Sequence, residues 1–359
     1  MPAKKSPAAA ASELEPALRA TTEEGVAELE KLTDWAQRIT EERIPLVEKM
    51  RAKRREKKAA GEALTEEEIL RRSGGNIGSG VGLEWIRMGR RYVSEELEAR
   101  AAELGCSFEH FGLTLGTCIH GIDLAEGELS QPQIDLIRAT LNERKVITLR
   151  EQHISPSQQT DFAERFGDID GFPFAPHVPG HKSVVRIAQG AAAVPSINTW
   201  HTDVTWMKAP SRFSMMHMVQ LPPIEGLGDT MWSDSHAVYL SLPRRVQVKI
   251  NGATTTHDYR GFRAGLRRVG ISEDSIAGLE ADVPFGVTHP VVRTHPETGK
   301  QALYIHGGFM RHESFVGPDG VPYEDEESKK FIAYLLQQHA RPETQARWSY
   351  KLHDIVMWE

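Results

Sequence analysis

From about residue 108 to the end of the chain, the apolar residues come in short β-prone runs, each closed by a turn or by a capped helix start. This punctuation constrains the fold more than any other feature. Leu113-Thr-Leu115 and Thr117-Cys-Ile119 read as strand. Ser130-Gln-Pro-Gln133 and Ser155-Pro-Ser-Gln158 each combine an N-cap serine, a proline in the first turn and a glutamine at the box position, so a helix begins at each. Residues 146–149 between them read as a buried strand, and Gly167 stops the second helix. Residues 183–188, the stretch around His201, and residues 213–221 read as further strands. Residues 235–242 form a short helix ended by Pro243, and residues 288–295 and 301–305 flank Pro296-Glu-Thr-Gly299 as a hairpin. An amphipathic helix over 326–339 and an apolar stretch over 355–358 close the chain. Many short strands carrying capped helices predict a mainly β fold with helices (α+β), arranged as a sandwich or jelly roll.

The first hundred residues read differently. Residues 1–20 are rich in Ala, Lys, Pro and Glu and are expected to be a disordered tail. Val26, Leu29, Leu32, Trp35 and Ile39 then fall on one helical face, and Thr65-Glu-Glu-Glu68 resembles a capping box. Residues 21–106 are therefore expected to form a helical extension ahead of a domain over 107–359. The basic run over 51–58 is compatible with a localisation signal or a phosphate patch, but nearby acidic residues favour a solvated helix face. The glycine-dense stretch over 73–82 lacks the Lys-Ser or Lys-Thr of a phosphate loop and reads as a flexible loop.

Charge narrows the class of partner. Residues 1–100 hold 19 basic and 19 acidic residues, which leaves 24 and 31 of the chain's 43 and 50 for the remainder. A nucleic-acid binder is basic where it works, so a small molecule is the expected partner. No apolar run reaches the length of a membrane span, and the alanine run near the N-terminus is too weakly apolar for a signal peptide. Cys106 and Cys118 do not make a disulfide framework. The expected location is cytoplasmic, and association with a second copy is left open.

Within the domain, Trp200-His-Thr-Asp203 carries the chemistry. On a strand, residues i and i+2 share a face, so His201 and Asp203 can reach one metal ion. An imidazole, a carboxylate and a second imidazole form the facial triad of non-heme Fe(II) oxygenases.

Five motifs in order carry a wider resemblance: Leu115-Gly-Thr-Cys-Ile-His-Gly-Ile-Asp-Leu124, Phe162-Ala-Glu-Arg-Phe-Gly167, Trp200-His-Thr-Asp-Val-Thr205, Gly228-Asp-Thr-Met-Trp232 and His289-Pro-Val-Val-Arg-Thr-His-Pro-Glu-Thr-Gly299. Together they resemble the TauD/TfdA family of Fe(II)- and 2-oxoglutarate-dependent dioxygenases. The resemblance implies a double-stranded β-helix, a jelly-roll variant. It makes His201 and Asp203 iron ligands and gives the Thr230 hydroxyl to a carboxylate of 2-oxoglutarate. The implied cofactors are Fe(II), 2-oxoglutarate and O2, and the implied reaction hydroxylates a small organic substrate with release of succinate and CO2. Phe309 matches a pocket position, and Phe172, Asn198 and Trp206 join it as candidate pocket residues, with Ile197 beside them. Phe172 stands where taurine-specific members carry a histidine, and a hydrocarbon ring cannot donate to a sulfonate.

In the family pattern a distal histidine ligand and a 2-oxoglutarate-binding arginine follow the motif that here reaches Trp358-Glu359. The domain is accordingly expected to be an incomplete jelly roll, truncated before both residues. The alternative expectation is a catalytically silent homologue that acts as a binding protein. His217, His289, His306 and His312 are the nearest histidines in family order, and each reads better as structural than as a third ligand.

Overall fold

The computed structural model describes residues 91–172, 174–188, 199–224, 226–268, 272–280 and 286–359, with a few isolated positions between 48 and 60. The N-terminal helices, the glycine-dense loop, Ile197 and Asn198 lie outside the described residues. The chain divides into two compact units, Met1–Thr65 and Glu66–Glu359, and the second contains everything below.

In chain order this unit contains α1 (Glu95–Glu103), β1 (Ser107–His110), β2 (Thr117–His120), α2 (Gln131–Arg144), β3 (Val146–Leu149), α3 (Pro156–Glu164), β4 (His177–Val178) and β5 (His181–Val185). There follow β6 (Ser214–His217), β7 (Thr230–Ser233), α4 (Ser235–Ser241), α5 (Arg244–Ile250), β8 (Thr254–His257), α6 (Arg260–Arg268) and α7 (Glu273–Glu280). Last come β9 (Val287–Pro290), β10 (Val292–Thr294), β11 (Gln301–Leu303), α8 (Asp325–Gln338), β12 (Gln345–Trp348) and β13 (Ile355–Trp358). It is a mixed fold of sheets and helices.

The central sheet has the order β1-β2-β3-β13-β6. It is antiparallel except for the β2–β3 pair, which is parallel because α2 carries the chain across between them. Side chains alternate between its faces, and both faces are buried. Ile119, Ile147, Leu149, Ile355 and Met357 pack against Leu97 and Ala101 of α1, Ile134, Ile137 and Leu141 of α2, and Phe162 of α3. Cys118, Val146 and Val356 face the other way, toward Ala346 and Trp348 of β12 and Tyr350, with Trp232 of β7 against the same cluster. A third core joins α4, α5 and α8 to Val291, Leu303 and Ile305 around β9–β11. The core beneath the first sheet thus begins with α1, ahead of the matched motifs.

Local sequence explains the helix starts. Ser130 with Gln133 and Ser155 with Gln158 form the reciprocal capping boxes expected of them. The hairpin around Pro296–Gly299 is also present, with Thr294 opposite Gln301.

Two expected strands are absent. Residues 113–115 are a bend. The guanidinium of Arg144, which is 2% exposed, donates to the carbonyls of Gly112, Leu113, Leu115 and Gly116 at 2.5 to 3.0 Å, and Lys145 Nζ donates to that of Thr114 at 2.8 Å. Two adjacent side chains thereby replace the ladder a strand would have used. Residues 199–210 are also not a strand. The Met207 N–H closes a turn onto the Val204 carbonyl, and Val204 has φ +48°, which breaks the alternation seen in the sequence.

Candidate active site

The irregular segment over 199–210 still brings His201 and Asp203 together. His201 Nε2 lies 3.5 Å from Asp203 Oδ1, and each side chain is about a third exposed. The expected geometry therefore arises from a turn rather than from a strand. His201 Nδ1 is 2.9 Å from the Thr199 carbonyl, which fixes a hydrogen on Nδ1 and leaves Nε2 facing Asp203. Asp203 Oδ2 accepts from Ser214 Oγ at 2.6 Å and the carboxylate also accepts from the indole of Trp358. Ser214 and Trp358 are direct partners across β6 and β13. The rim of the central sheet thus holds the carboxylate by two donors.

These contacts set the charges. The hydrogen bond to Asp203 raises the His201 pKa and outweighs burial. Burial pushes the Asp203 carboxyl upward, but hydrogen bonds from His201, Ser214 and Trp358 outweigh it and hold the group below its usual range.

The segment is pinned from behind. The Gly307 N–H donates to the Trp200 carbonyl at 3.0 Å, and a Cβ on Gly307 would stand 1.9 Å from Thr199 Oγ1, so only glycine permits this approach. His289 Nε2 bonds the Met207 carbonyl at 2.9 Å, which gives that histidine a structural task.

An aromatic cluster continues from the pair. The His201 and His306 ring centroids are 5.5 Å apart, and the His306 ring lies tilted against Phe309 with centroids 4.0 Å apart. Phe309 meets Trp206 edge-on at 4.7 Å, and Trp206 touches both Phe172 and Phe174. Phe174 leads on to Tyr259 at 5.4 Å. Three of the four pocket residues expected from sequence, Phe172, Trp206 and Phe309, therefore share one apolar wall. Phe174, Tyr259 and His306 complete it. Phe174 could have been found as the i+2 neighbour of Phe172, whereas Tyr259 arrives from a distant element with no local signal.

Thr230 opens β7, on the face that also carries Trp232. The Tyr350 hydroxyl donates to Thr230 Oγ1 at 2.8 Å. The threonine keeps its own hydrogen to donate elsewhere. Trp232 packs 5.9 Å from Trp358, the donor to Asp203, so the two parts of the site meet through these indoles.

The pair fits a divalent ion in donor chemistry and spacing. Two ligands about 2.1 Å from one ion and at right angles lie about 3 Å apart. Among the described residues, no third His, Cys, Asp or Glu completes a ligand group with His201 and Asp203. The group of three such side chains with ligand atoms within 4.8 Å of one another is Glu109, Cys118 and His120, on β1 and β2 at the opposite edge of the sheet.

Comparison with known proteins settles the family. The family model described as taurine catabolism dioxygenase TauD, TfdA family, matches residues 107–359. The chain belongs to the TauD/TfdA family. An alkylsulfatase of Acinetobacter baylyi is 29% identical over 252 residues, covering 68% of this chain and 74% of the relative. An alpha-ketoglutarate-dependent 2,4-dichlorophenoxyacetate dioxygenase of Cupriavidus pinatubonensis is 29% identical over 258 residues, covering 67% and 84%. The crystal structure of a taurine dioxygenase from Burkholderia xenovorans superimposes with a TM-score of 0.57 at 27% identity, covering 71% of this chain and 79% of that one. As a TauD/TfdA member the chain falls in the class of 2-oxoglutarate-dependent dioxygenases, which use 2-oxoglutarate and O2. No helix among the described residues is long and apolar enough to cross a membrane.

Proposed function

We propose that this TauD/TfdA protein hydroxylates a small, largely apolar organic substrate with Fe(II), 2-oxoglutarate and O2, releasing succinate and CO2. The observation that carries this reading is the convergence of the His201–Asp203 pair with one end of the aromatic wall. His201 Nε2 and Asp203 Oδ1 are the iron-binding atoms in this reading. Bound there, Fe(II) supplies the oxidising chemistry with 2-oxoglutarate and O2.

The protein's own groups do the rest. Ser214 and Trp358 hold Asp203 in one orientation, and the Thr199 carbonyl holds the His201 tautomer. Thr230, its oxygen already occupied by Tyr350, donates its hydrogen to a carboxylate of 2-oxoglutarate. Phe172, Trp206 and Phe309 seat the apolar body of the substrate and keep water away, and Asn198 is assigned to the same pocket. The names of the relatives, an alkylsulfatase and a 2,4-dichlorophenoxyacetate dioxygenase, agree with a substrate that has an apolar body.

We read residues 107–359 as the dioxygenase domain and its strands as a double-stranded β-helix. This is supported by the core that the β7–β12 pair shares with one face of the central sheet.

The test is succinate release. Purified protein with Fe(II), ascorbate, 2-oxoglutarate and a panel of aryloxyacetates and alkyl sulfates is expected to form succinate in a substrate-dependent way. His201→Ala should remove it. Absence of succinate with every substrate, from protein that is folded, would reject the reading in favour of a silent homologue.

A further inference from the structure

His306 has its tautomer and its orientation fixed by the turn that follows it. The backbone N–H groups of Gly308 and Phe309 both donate to Nδ1, at 2.7 and 2.8 Å. Nδ1 is therefore the lone-pair nitrogen, and the hydrogen of the neutral ring sits on Nε2. The residue is 3% exposed, and with two N–H groups donating to Nδ1 the ring is held in its neutral form. Nε2–H is a permanent donor.

Among the described residues this buried donor has no acceptor. A buried polar group left in this state calls for a ligand or an ordered water. It lies on the edge of the ring turned away from the 308–309 backbone. The ring stands 5.5 Å from that of His201 and lies tilted against Phe309 at the near end of the aromatic wall. An oxygen placed against Nε2 would belong to a molecule whose apolar part lies along Phe309 and Trp206.

We propose that His306 Nε2–H binds an acceptor oxygen of the organic substrate and so fixes which of its carbons faces the His201–Asp203 pair. The inference rests on reading that pair as the metal site. It assigns the substrate a chemical class: an apolar body next to a carboxylate, sulfate-ester or ether oxygen. The aromatic wall alone would hold such a body in many orientations, because dispersion has little direction. One buried donor removes that freedom, and it rejects analogues without the oxygen because the N–H would then stay unpaired. His306 is a specificity residue in this account. Its Nδ1 is occupied by the turn, and among the described residues it belongs to no three-donor group around the pair.

The test is binding, read from quenching of intrinsic tryptophan fluorescence, with Trp206 inside the cluster. The probes are hexyl sulfate and 2,4-dichlorophenoxyacetate, which carry acceptor oxygens, and 1,3-dichlorobenzene, which carries none. His306→Phe should weaken the first two about tenfold or more and move the third by less than about twofold. His306→Asn should recover part of the loss, since its carboxamide oxygen can accept from the turn while its NH2 donates. As a measurement without substitution, the 15N-labelled wild-type protein should show His306 as the Nε2–H tautomer, with that proton shifted by the oxygen-bearing probes only. Equal weakening of all three probes, no weakening of either oxygen-bearing probe, failure of both to bind wild-type protein, or an unmoved Nε2–H would overturn the proposal. Weakening of 2-oxoglutarate instead of the probes would overturn it too, by giving the donor to the co-substrate. Mn(II) titration of the same preparations separates the two readings. If Mn(II) binds wild type and not His201→Ala, the metal pair stands whatever His306→Phe does.

Discussion

On the central sheet, side chains alternate between two buried faces, and three of the five strands have a hydrogen-bonded neighbour on each side. Along residues 199–210 no residue belongs to a strand, a β-branched residue sits at positive φ, and the segment is held by contacts from other elements. Both regions are well anchored, but by different means. The sheet is stabilised by local pattern and by burial, whereas the site segment depends on Gly307, His289, Ser214 and Trp358. The difference has a physical use. A regular strand satisfies its own polar groups and presents side chains at fixed spacing, while an irregular segment can turn an imidazole and a carboxylate toward one point and leave donors free for a ligand.

Loss of Arg144 is expected to have the largest effect on the sheet side. Replacing it with Met removes the guanidinium donors from the carbonyls of Gly112, Leu113 and Leu115 and leaves Gly116 only the Phe111 N–H. A loss of about 3 to 5 kcal/mol in urea unfolding is expected, as for other broken buried charge networks. His201→Ala should do the reverse, changing the unfolding midpoint little while abolishing metal binding, since its ring is partly exposed and its loss leaves the sheet intact. Ser214→Ala removes one of the donors to Asp203 and should weaken Mn(II) about 10- to 100-fold, the usual cost of losing an outer-shell partner.

Titration sharpens the contrast. His201 is raised by Asp203, and Asp203 is lowered by its donors. Without metal, the stabilisation linked to Asp203 is present above the ordinary carboxyl pKa and is lost as pH falls through its depressed value. The part linked to His201 is present below the ordinary imidazole pKa and is lost as pH rises through its raised value. The pair therefore stabilises most in the window between, where the imidazolium and carboxylate coexist. Metal binding needs neutral His201, so the affinity for Mn(II) should fall by up to about tenfold per pH unit below the raised His201 pKa. In His201→Ala the part of this pH dependence that belongs to His201 should be gone. The smallest expected effect is at Val204, whose φ of +48° suits glycine. Val204→Gly should raise stability by about 1 kcal/mol in urea unfolding.

Much of the frame was legible in the sequence, because the signals were local. The serine–glutamine boxes, the hairpin at Pro296–Gly299 and the helix over α8 each rest on a few adjacent residues. The His201–Asp203 contact was also foreseen, through a wrong intermediate. Trp-His-Thr-Asp-Val-Thr reads as period two, yet the chain turns at Val204, and nothing in those residues shows that Gly307 and His289 will pin it there. Residues 113–115 were misread for the same reason, since the replacement for their ladder comes from Arg144 and Lys145, some thirty residues away. The locked tautomer of His306 depends on the conformation of a turn that no periodicity reports.

In our reading His201 and Asp203 bind one divalent metal beside an aromatic substrate wall. Mn(II) titration followed by electron paramagnetic resonance tests it most directly. The account predicts one bound Mn(II) per chain in wild-type protein, lost in both His201→Ala and Asp203→Asn while Glu109→Gln and His120→Ala leave it unchanged. Mn(II) binding that survives His201→Ala, or that disappears with the Glu109 and His120 variants, would contradict it.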